Sequence, residues 1–411
     1  MYFRKKTLNT YTSFLIGSFC LLFSLDSLAQ EQDTSKMKQL KREYFNKHTS
    51  QGFIFKTEDE RFEMQIGARL QLRFSLPDDQ DPVTFADFTN QDFGVFKINR
   101  ARLKVGGHAY QPWLKYYFEY ELSRSILLDY RVMIEKWPWL NIKAGQWKVE
   151  FTRERYISSG NQQLVDRSLV NRTFTIDRQQ GVEVLGNLDG GGIANFDYWL
   201  GIFTGTGRGA TQNDDKKMMY FGRFQWNFLG RELPFSGGDL NISPQPAGII
   251  AFAAVNNNSP YTAFSSMGGA QLNGFEGTND SQYKVNQFQI ESAFNYKGFT
   301  WSSEFHRKNI YDNFDKTSTE LGGFYVTTGY FFGQILDFWP EPLEMAARYA
   351  VIKPDLSAQN NEQIEAGVAL NYFFAAHKNK LTTEVTRFMF QDQTLARENE
   401  LRFRLQWDIS F

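Results

Sequence analysis

Residues 62–75 read FEMQIGARLQLRFS, and an apolar residue stands at every second position from Phe62 to Phe74. Polar side chains or glycine occupy the positions in between. An α-helix repeats every 3.6 residues, so a period of two predicts a β-strand with one apolar and one polar face. Residues 400–411, ELRFRLQWDISF, repeat the pattern and end on Phe411. An alternating register that closes on a terminal phenylalanine is typical of outer-membrane barrels.

Fourteen further runs of this kind lie between those two stretches. They span residues 96–109, 113–122, 126–136, 140–148, 180–188, 193–203, 218–228, 248–256, 282–297, 299–310, 321–334, 342–351, 362–373 and 379–391. Several runs reach ten residues, the length with which a tilted strand crosses a bilayer. An even count of such strands predicts an all-β fold, a 16-stranded antiparallel transmembrane β-barrel over residues 62–411.

The N-terminal residues predict a signal for export. Three bases at residues 4–6 precede the apolar stretch 14–25, and small residues end at Ala29, so residues 1–29 read as a signal peptide. Cys20, the single cysteine, lies within it, and the mature chain is therefore expected to have none. Residues 30–61 form a polar N-terminal segment.

The aromatic content favours a membrane barrel over a soluble protein. Phe, Tyr and Trp make up 17% of the chain, and no later stretch approaches the 18 apolar residues of a membrane helix. Rings on an apolar strand face or near strand ends fit a lipid-facing band with aromatic girdles. These rings are Trp113, Tyr116, Phe118, Tyr120, Trp137, Trp139, Phe331, Phe332, Tyr372 and Phe373. A large secreted β-sandwich or β-helix is the alternative.

Charge is distributed unevenly along the chain. The formal net charge is −1, so nothing in the overall balance supports nucleic-acid binding. Residues 97–178, however, contain 15 bases and eight acids. Within them Arg100, Arg102 and Lys104 alternate with apolar residues, which predicts that the three bases point into the lumen. A row of cations there lowers the barrier for an anion in a water-filled pore.

Residues 149–179 lack alternation, and about 30 residues are too many for an ordinary hairpin connection. They predict a long loop that folds inward and narrows the wide lumen of a 16-stranded barrel. Its arginines are Arg153, Arg155, Arg167, Arg172 and Arg178. Guanidinium groups in a constriction bind phosphate or carboxylate bidentately. The alternative is that they pair with acids of the same loop and only hold its shape.

Nothing in the sequence predicts an enzyme, a metal site or a cofactor. The four histidines, His48, His108, His306 and His377, do not stand at the spacing of metal ligands. We therefore expect a barrel without catalytic residues.

Residues 62–411 resemble the phosphate-selective porin O and P family, most specifically in the runs RARLKVGG and KAGQWKVEF. The resemblance implies a 16-stranded outer-membrane barrel, usually trimeric, with an inward third loop and a basic lumen that passes phosphate. It implies the same role for Lys148 as for the strand bases and the loop arginines.

These observations together predict a porin in the outer membrane of a Gram-negative bacterium. It would let small hydrophilic solutes diffuse passively, prefer anions such as phosphate, and contact outer-membrane lipids as a homotrimer. Two alternatives stay open: a general or cation-tolerant porin, and a non-conducting barrel within a larger outer-membrane complex.

Overall fold

A computed structural model describes residues 48–49, 52–84, 87–88, 94–209, 212–214, 216–264, 269–277, 279–391 and 397–411. The predicted signal peptide, residues 1–29, lies outside the described residues, and so do residues 30–47 of the polar segment. The unit that contains the barrel spans His48–Phe411.

The described residues form one closed antiparallel sheet of eighteen strands. In chain order the strands are β1 (His48–Thr49), β2 (Gly52–Lys56), β3 (Phe62–Leu76), β4 (Val95–Ala109), β5 (Gln111–Glu121), β6 (Ile126–Trp137), β7 (Leu140–Lys148), β8 (Arg178–Asp189), β9 (Asn195–Phe203), β10 (Met219–Trp226), β11 (Ala247–Ser259), β12 (Tyr283–Tyr296), β13 (Phe299–Asp312), β14 (Ser318–Tyr330), β15 (Leu343–Lys353), β16 (Gln363–Ala375), β17 (Asn379–Gln391) and β18 (Arg397–Ser410). Sixteen of them, β3–β18, form the barrel wall, which confirms the predicted fold. The predicted strand 321–334 ends earlier, since β14 stops at Tyr330 and residues 332–334 form a 3₁₀ turn.

The barrel closes where the last strand meets the first. β18 pairs with the C-terminal half of β3, from Phe403 opposite Leu76 to Ser410 opposite Arg69. The N-terminal part of β3 pairs with β2 instead, with Lys56 opposite Glu63. The sequence predicts only a polar segment at β2, but its five residues satisfy backbone groups that a free edge would leave unpaired.

The two ends of the barrel differ in their connections. One end, here named the short-turn end, joins β4 to β5 through Tyr110 alone and β12 to β13 through residues 297–298, and its longest connection among the described residues is residues 227–246 between β10 and β11. The opposite end, the long-loop end, includes residues 149–177 between β7 and β8. In outer-membrane barrels the short turns face the periplasm and the long loops face outward.

Strand residues alternate between lipid and lumen, and the apolar side faces outward. On β12, Ile290 is 49% exposed on the outer face, whereas its neighbours Gln289 and Glu291 are buried in the interior. This inverts the arrangement of a soluble protein, as a membrane barrel requires. No helix among the described residues is long and apolar enough to span a bilayer.

The interior also contains an apolar core, which the sequence does not predict. Phe151, Val170, Phe174 and Ile176 of the long loop are buried against inward rings of the wall such as Phe203. Two rings expected on the outer surface are buried as well. Phe331 and Phe373 are 2% and 7% exposed and pack with ring centroids 5.7 Å apart. The prediction that they face lipid is therefore wrong, whereas Phe118, Trp137 and Trp139 are exposed as expected.

The lipid-facing band predicts a depth-dependent cost of charge on β12. Replacing Ile290 by arginine places a cation in the apolar band and should destabilise the barrel by about 2–4 kcal/mol. Asn286→Arg, on the same face and strand but four residues nearer the long-loop end, should cost at most about 1 kcal/mol. Denaturant unfolding in lipid vesicles measures both, and equal costs would contradict the assigned membrane position.

Candidate functional site in the barrel lumen

Residues 149–177 fold into the lumen and are named the inner loop. Two short helices shape it, α1 (Arg153–Tyr156) and α2 (Leu169–Phe174). The Thr152 hydroxyl caps α1 by accepting the backbone N–H of Arg155 at 3.2 Å. The predicted inward folding of this loop is thus present in the structure.

Carboxylates on β13, β16 and β17 of the barrel wall bind the backbone of the inner loop. Glu304 on β13 accepts the N–H of Glu154 at 2.9 Å, and Glu365 on β16 accepts the N–H of Leu169 at 2.8 Å. Glu384 on β17 accepts a third loop N–H at 2.6 Å. All three carboxylates are buried. Charge-assisted bonds of this kind are about twice as strong as neutral ones, so they fix the loop across the barrel.

Asp166 ties the inner loop to the seam where the barrel closes. Its Oδ2 lies 2.5 Å from Arg73 Nη1 on β3 and 3.3 Å from Arg404 Nη1 on β18. The same arginines also reach Asp79 at 2.9 Å and Asp81 at 2.8 Å in the connection after β3. Burial opposes ionisation of Asp166, but the two arginines outweigh it and hold the pKa of its carboxyl well below the usual range.

The three predicted strand bases lie on the lumen side of β4, as expected. Arg102 forms ion pairs with Glu119 at 2.5 Å and Glu121 at 2.8 Å. Arg100 donates from Nη1 to the amide oxygen of Gln71 at 2.8 Å and has no ion pair among the described residues. Lys104 has no ion pair within the described part of the chain either.

The inner loop and β7 add two cations that carbonyl oxygens hold. Arg167 donates to the carbonyls of Glu154 at 3.0 Å and Ile157 at 2.7 Å. Lys148 donates to the carbonyl of Tyr156 at 2.7 Å. Neither cation has an ion pair among the residues described.

Arg155 and Arg178, like Arg102, are paired with carboxylates. Arg155 Nε lies 2.6 Å from Asp177 Oδ1, and Arg178 Nε lies 2.5 Å from Asp129 Oδ1 on β6. The pairing of Arg155 within the loop is the arrangement that the sequence left open as the alternative. Both side chains still lie within electrostatic range of Arg102 or Lys148.

The remaining two predicted arginines lie away from this group. Arg153 is buried, with Nη1 3.9 Å from Glu291 on β12 and its guanidinium 4.9 Å from the Phe235 ring. Arg172, near the long-loop end, donates to the carbonyl oxygen of Asp81 at 2.7 Å. The inner loop thus brings Arg155 and Arg167 close to Arg102 and Lys148 but places Arg153 and Arg172 elsewhere.

Arg69 on β3 is not among the pore-lining bases predicted from the sequence. Its guanidinium donates to the hydroxyls of Ser158 at 2.8 Å and Ser159 at 2.6 Å, and its register partner on β4 is Arg102. The signal was present, because the alternation of residues 62–75 places Arg69 on the polar face. We name the group on this side of the lumen the basic wall. Its members are Arg69, Arg100, Arg102, Lys104, Lys148, Arg155, Arg167 and Arg178.

A cavity of about 820 Å³ leads to the basic wall from the short-turn end. Its lining includes Arg69, Lys104, Tyr117, Arg131, Ser158, Asn161 and Phe411. The inner loop therefore bounds this cavity on one side, through Ser158 and Asn161, and β3–β6 bound it on the other. Within the described residues no group of three or more His, Asp or Glu side chains is arranged to hold a metal ion.

A closed 16-stranded barrel with an inward loop and a basic inner wall is the architecture of an outer-membrane porin. The chain belongs to the phosphate-selective porin O and P family, whose sequence model matches residues 69–409. The resemblance noted in the sequence is thereby confirmed. Family and fold locate the protein in the outer membrane of a Gram-negative bacterium and indicate a channel rather than an enzyme.

Solved porin structures share this fold at low sequence identity. The outer-membrane channel DcaP of Acinetobacter baumannii aligns with a TM-score of 0.58 at 12% identity, covering 87% of this chain and 99% of that one. OmpT of Vibrio cholerae aligns with a TM-score of 0.55 at 9% identity, covering 87% of this chain and 99% of that one. An anion-selective porin from Comamonas acidovorans aligns with a TM-score of 0.54 at 8% identity, covering 85% of this chain and 99% of that one. A comparison with curated proteins gives no significant match.

The position of Asp166 predicts that its carboxylate stabilises the inner loop. Asp166→Asn keeps the shape but removes the charge between Arg73 and Arg404, and should cost about 3 kcal/mol. This is the low end for breaking a buried ion pair, since the Asp166 side chain is 24% exposed and each arginine keeps another carboxylate. Hydrogen exchange of the inner loop and denaturant unfolding measure the loss. Glu135→Gln, which breaks an exposed pair with Lys115, should cost below about 1 kcal/mol, and a loss of similar size there would contradict the assignment.

Proposed function

We propose that this porin prefers anions and conducts them past the basic wall by passive diffusion. The observation that carries the proposal is the group of cations without an ion pair among the described residues. These cations are Arg69, Arg100, Lys104, Lys148 and Arg167. No direct ion pair neutralises these cations, so the basic wall keeps a positive potential that attracts anions and repels cations.

The five cations contribute to permeation in different ways. Lys148 and Arg167 already donate to loop carbonyls, so they add positive charge more than direct contacts. Lys104 and Arg69 both line the cavity, and neither side chain has an ion pair within the described residues. Lys104 and Arg69 are therefore the groups that we expect to touch a passing anion. Arg153 and Arg172 act instead in packing the inner loop.

Phosphate is the proposed substrate among small anions, because the family name gives that selectivity and guanidinium groups suit its oxygens. Membership in the family likewise supports our proposal of a homotrimer surrounded by outer-membrane lipids. Arginine is the better residue for bidentate contacts, whereas lysine acts as a point charge.

A general or cation-tolerant porin is the second candidate, and the paired arginines favour it. Arg102, Arg155 and Arg178 face the carboxylates Glu119, Asp177 and Asp129, which reduce the net positive charge of the basic wall. A non-conducting barrel is the third candidate, because the inner loop fills much of the lumen with an apolar core.

The proposal predicts an anion-signed reversal potential in planar bilayers under a KCl gradient. Lys104→Met should lower the ratio of chloride to potassium permeability severalfold, because it removes a charge whose field the low-dielectric wall does not screen. Arg172→Met removes a charge near the long-loop end, where the side chain is 37% exposed, and should change the ratio little.

Three outcomes separate the candidates. A cation-signed potential of the unaltered protein contradicts the anion preference. Equal shifts in Lys104→Met and Arg172→Met contradict the assignment of the pathway to the basic wall. Purified trimers or monomers that give no single-channel steps support the non-conducting barrel.

A further inference from the structure

We infer that Glu119 is a tethered counter-anion that weakens anion binding at the basic wall and so sets the strength of its selectivity. Glu119 lies on β5, points into the lumen and is 6% exposed. The inference rests on the proposed anion preference and assigns the opposite role to one acidic residue within the same pathway.

The carboxylate of Glu119 is held by two different donors. Oε1 lies 2.5 Å from Arg102 Nη1, and Oε2 accepts the hydroxyl of Tyr117 at 3.0 Å. The guanidinium of Arg131 stacks 4.4 Å from the centre of the Tyr117 ring, which fixes the tyrosine in turn. The carboxylate is therefore a fixed negative charge and not a mobile surface group.

The strand register surrounds this carboxylate with the cations of the basic wall. Lys104 is the partner of Glu119 on β4, and Arg69 lies next to Arg102 on β3. The charges that act on Glu119 most strongly are those of Arg102, Lys104, Arg178 and Arg69. Lys104 and Arg69 are also the groups that we expect to touch a passing anion, so Glu119 and that anion would share the same cations.

Each neighbouring acid has more ion pairs or more hydrogen-bond donors than Glu119. Asp129, opposite Glu119 on β6, uses one oxygen for Arg178 at 2.5 Å and the other for Arg131 at 2.8 Å. Glu121 accepts the N–H of Ala101 at 2.7 Å besides pairing with Arg102. Their charges serve local contacts, whereas the charge of Glu119 is shared among several cations.

A tethered anion of this kind has a physical use in a channel. Conduction requires that an ion bind well enough to enter and weakly enough to leave. Uncompensated, the basic wall would hold a multivalent anion strongly and slow its exit. Glu119 weakens the binding of that anion without closing the pathway.

Glu119→Gln tests the inference, since the amide keeps an acceptor oxygen and removes the charge. We expect the ratio of chloride to potassium permeability to rise, and inorganic phosphate to inhibit the chloride current at about tenfold lower concentration. Loss of a merely structural residue would instead lower selectivity or abolish channels. An unchanged or lower ratio in a variant that assembles normally, judged by heat-modifiable migration on gels, would overturn the inference.

Two controls isolate the charge and the position. Glu135→Gln makes the same chemical change on the next strand, in an exposed pair with Lys115 at 2.6 Å, and should leave phosphate inhibition unchanged. Glu119→Gln with Lys104→Met restores the net charge and should return the permeability ratio towards that of the unaltered protein. A tenfold change in the first control would assign the effect to net charge alone and overturn the role of Glu119.

A variant in the inner loop tests the same idea without altering the wall. Ser158 accepts Arg69 at 2.8 Å, and Ser158→Asp adds a second tethered anion beside that cation. Phosphate inhibition should weaken about tenfold. If Glu119→Gln does not assemble, an unchanged phosphate response of Ser158→Asp overturns the inference. Failure of the anion preference itself is distinguished by a cation-signed reversal potential of the unaltered protein.

Discussion

Hydrogen bonds from buried wall carboxylates to the backbone of the inner loop are the constraint on which the rest of the lumen depends. Glu304, Glu365 and Glu384 each accept an N–H of the loop. Asp166 of the loop in turn forms ion pairs with the arginines at the barrel seam. A barrel of sixteen strands is wide enough for a water-filled channel. These contacts decide instead that one side of the lumen is filled and that the other stays polar.

The two sides of the lumen follow from the amphipathic character of the inner loop. Phe151, Phe174 and Ile176 pack into the interior core, while Arg155 and Arg167 lie towards the basic wall. The proposed pathway therefore runs beside one wall rather than along the axis. In the proposed function, cations that have no ion pair among the described residues give that wall a positive potential, and acids such as Glu119 limit it.

The sequence predicts the barrel well because alternation is a property of each strand alone. All sixteen strands are recovered, and Arg100, Arg102 and Lys104 lie on the predicted face. The inner loop has no period, so nothing in its residues distinguishes the outward Arg172 from the buried Arg153 or from Arg167. Phe373 was misassigned because its neighbour Tyr372 is exposed, and a shift of one residue changes the side of the sheet. Arg69, by contrast, could have been selected from its register.

Single-cysteine accessibility measures the division of the lumen most directly, since the only native cysteine lies in the predicted signal peptide. At Lys104→Cys, on the basic wall, an anionic thiol reagent should react faster than a cationic reagent of the same size and should block current. At Thr382→Cys, on the inward face of β17 behind the inner loop, neither reagent should react. Reaction at both positions, or faster reaction of the cationic reagent at residue 104, would contradict the account.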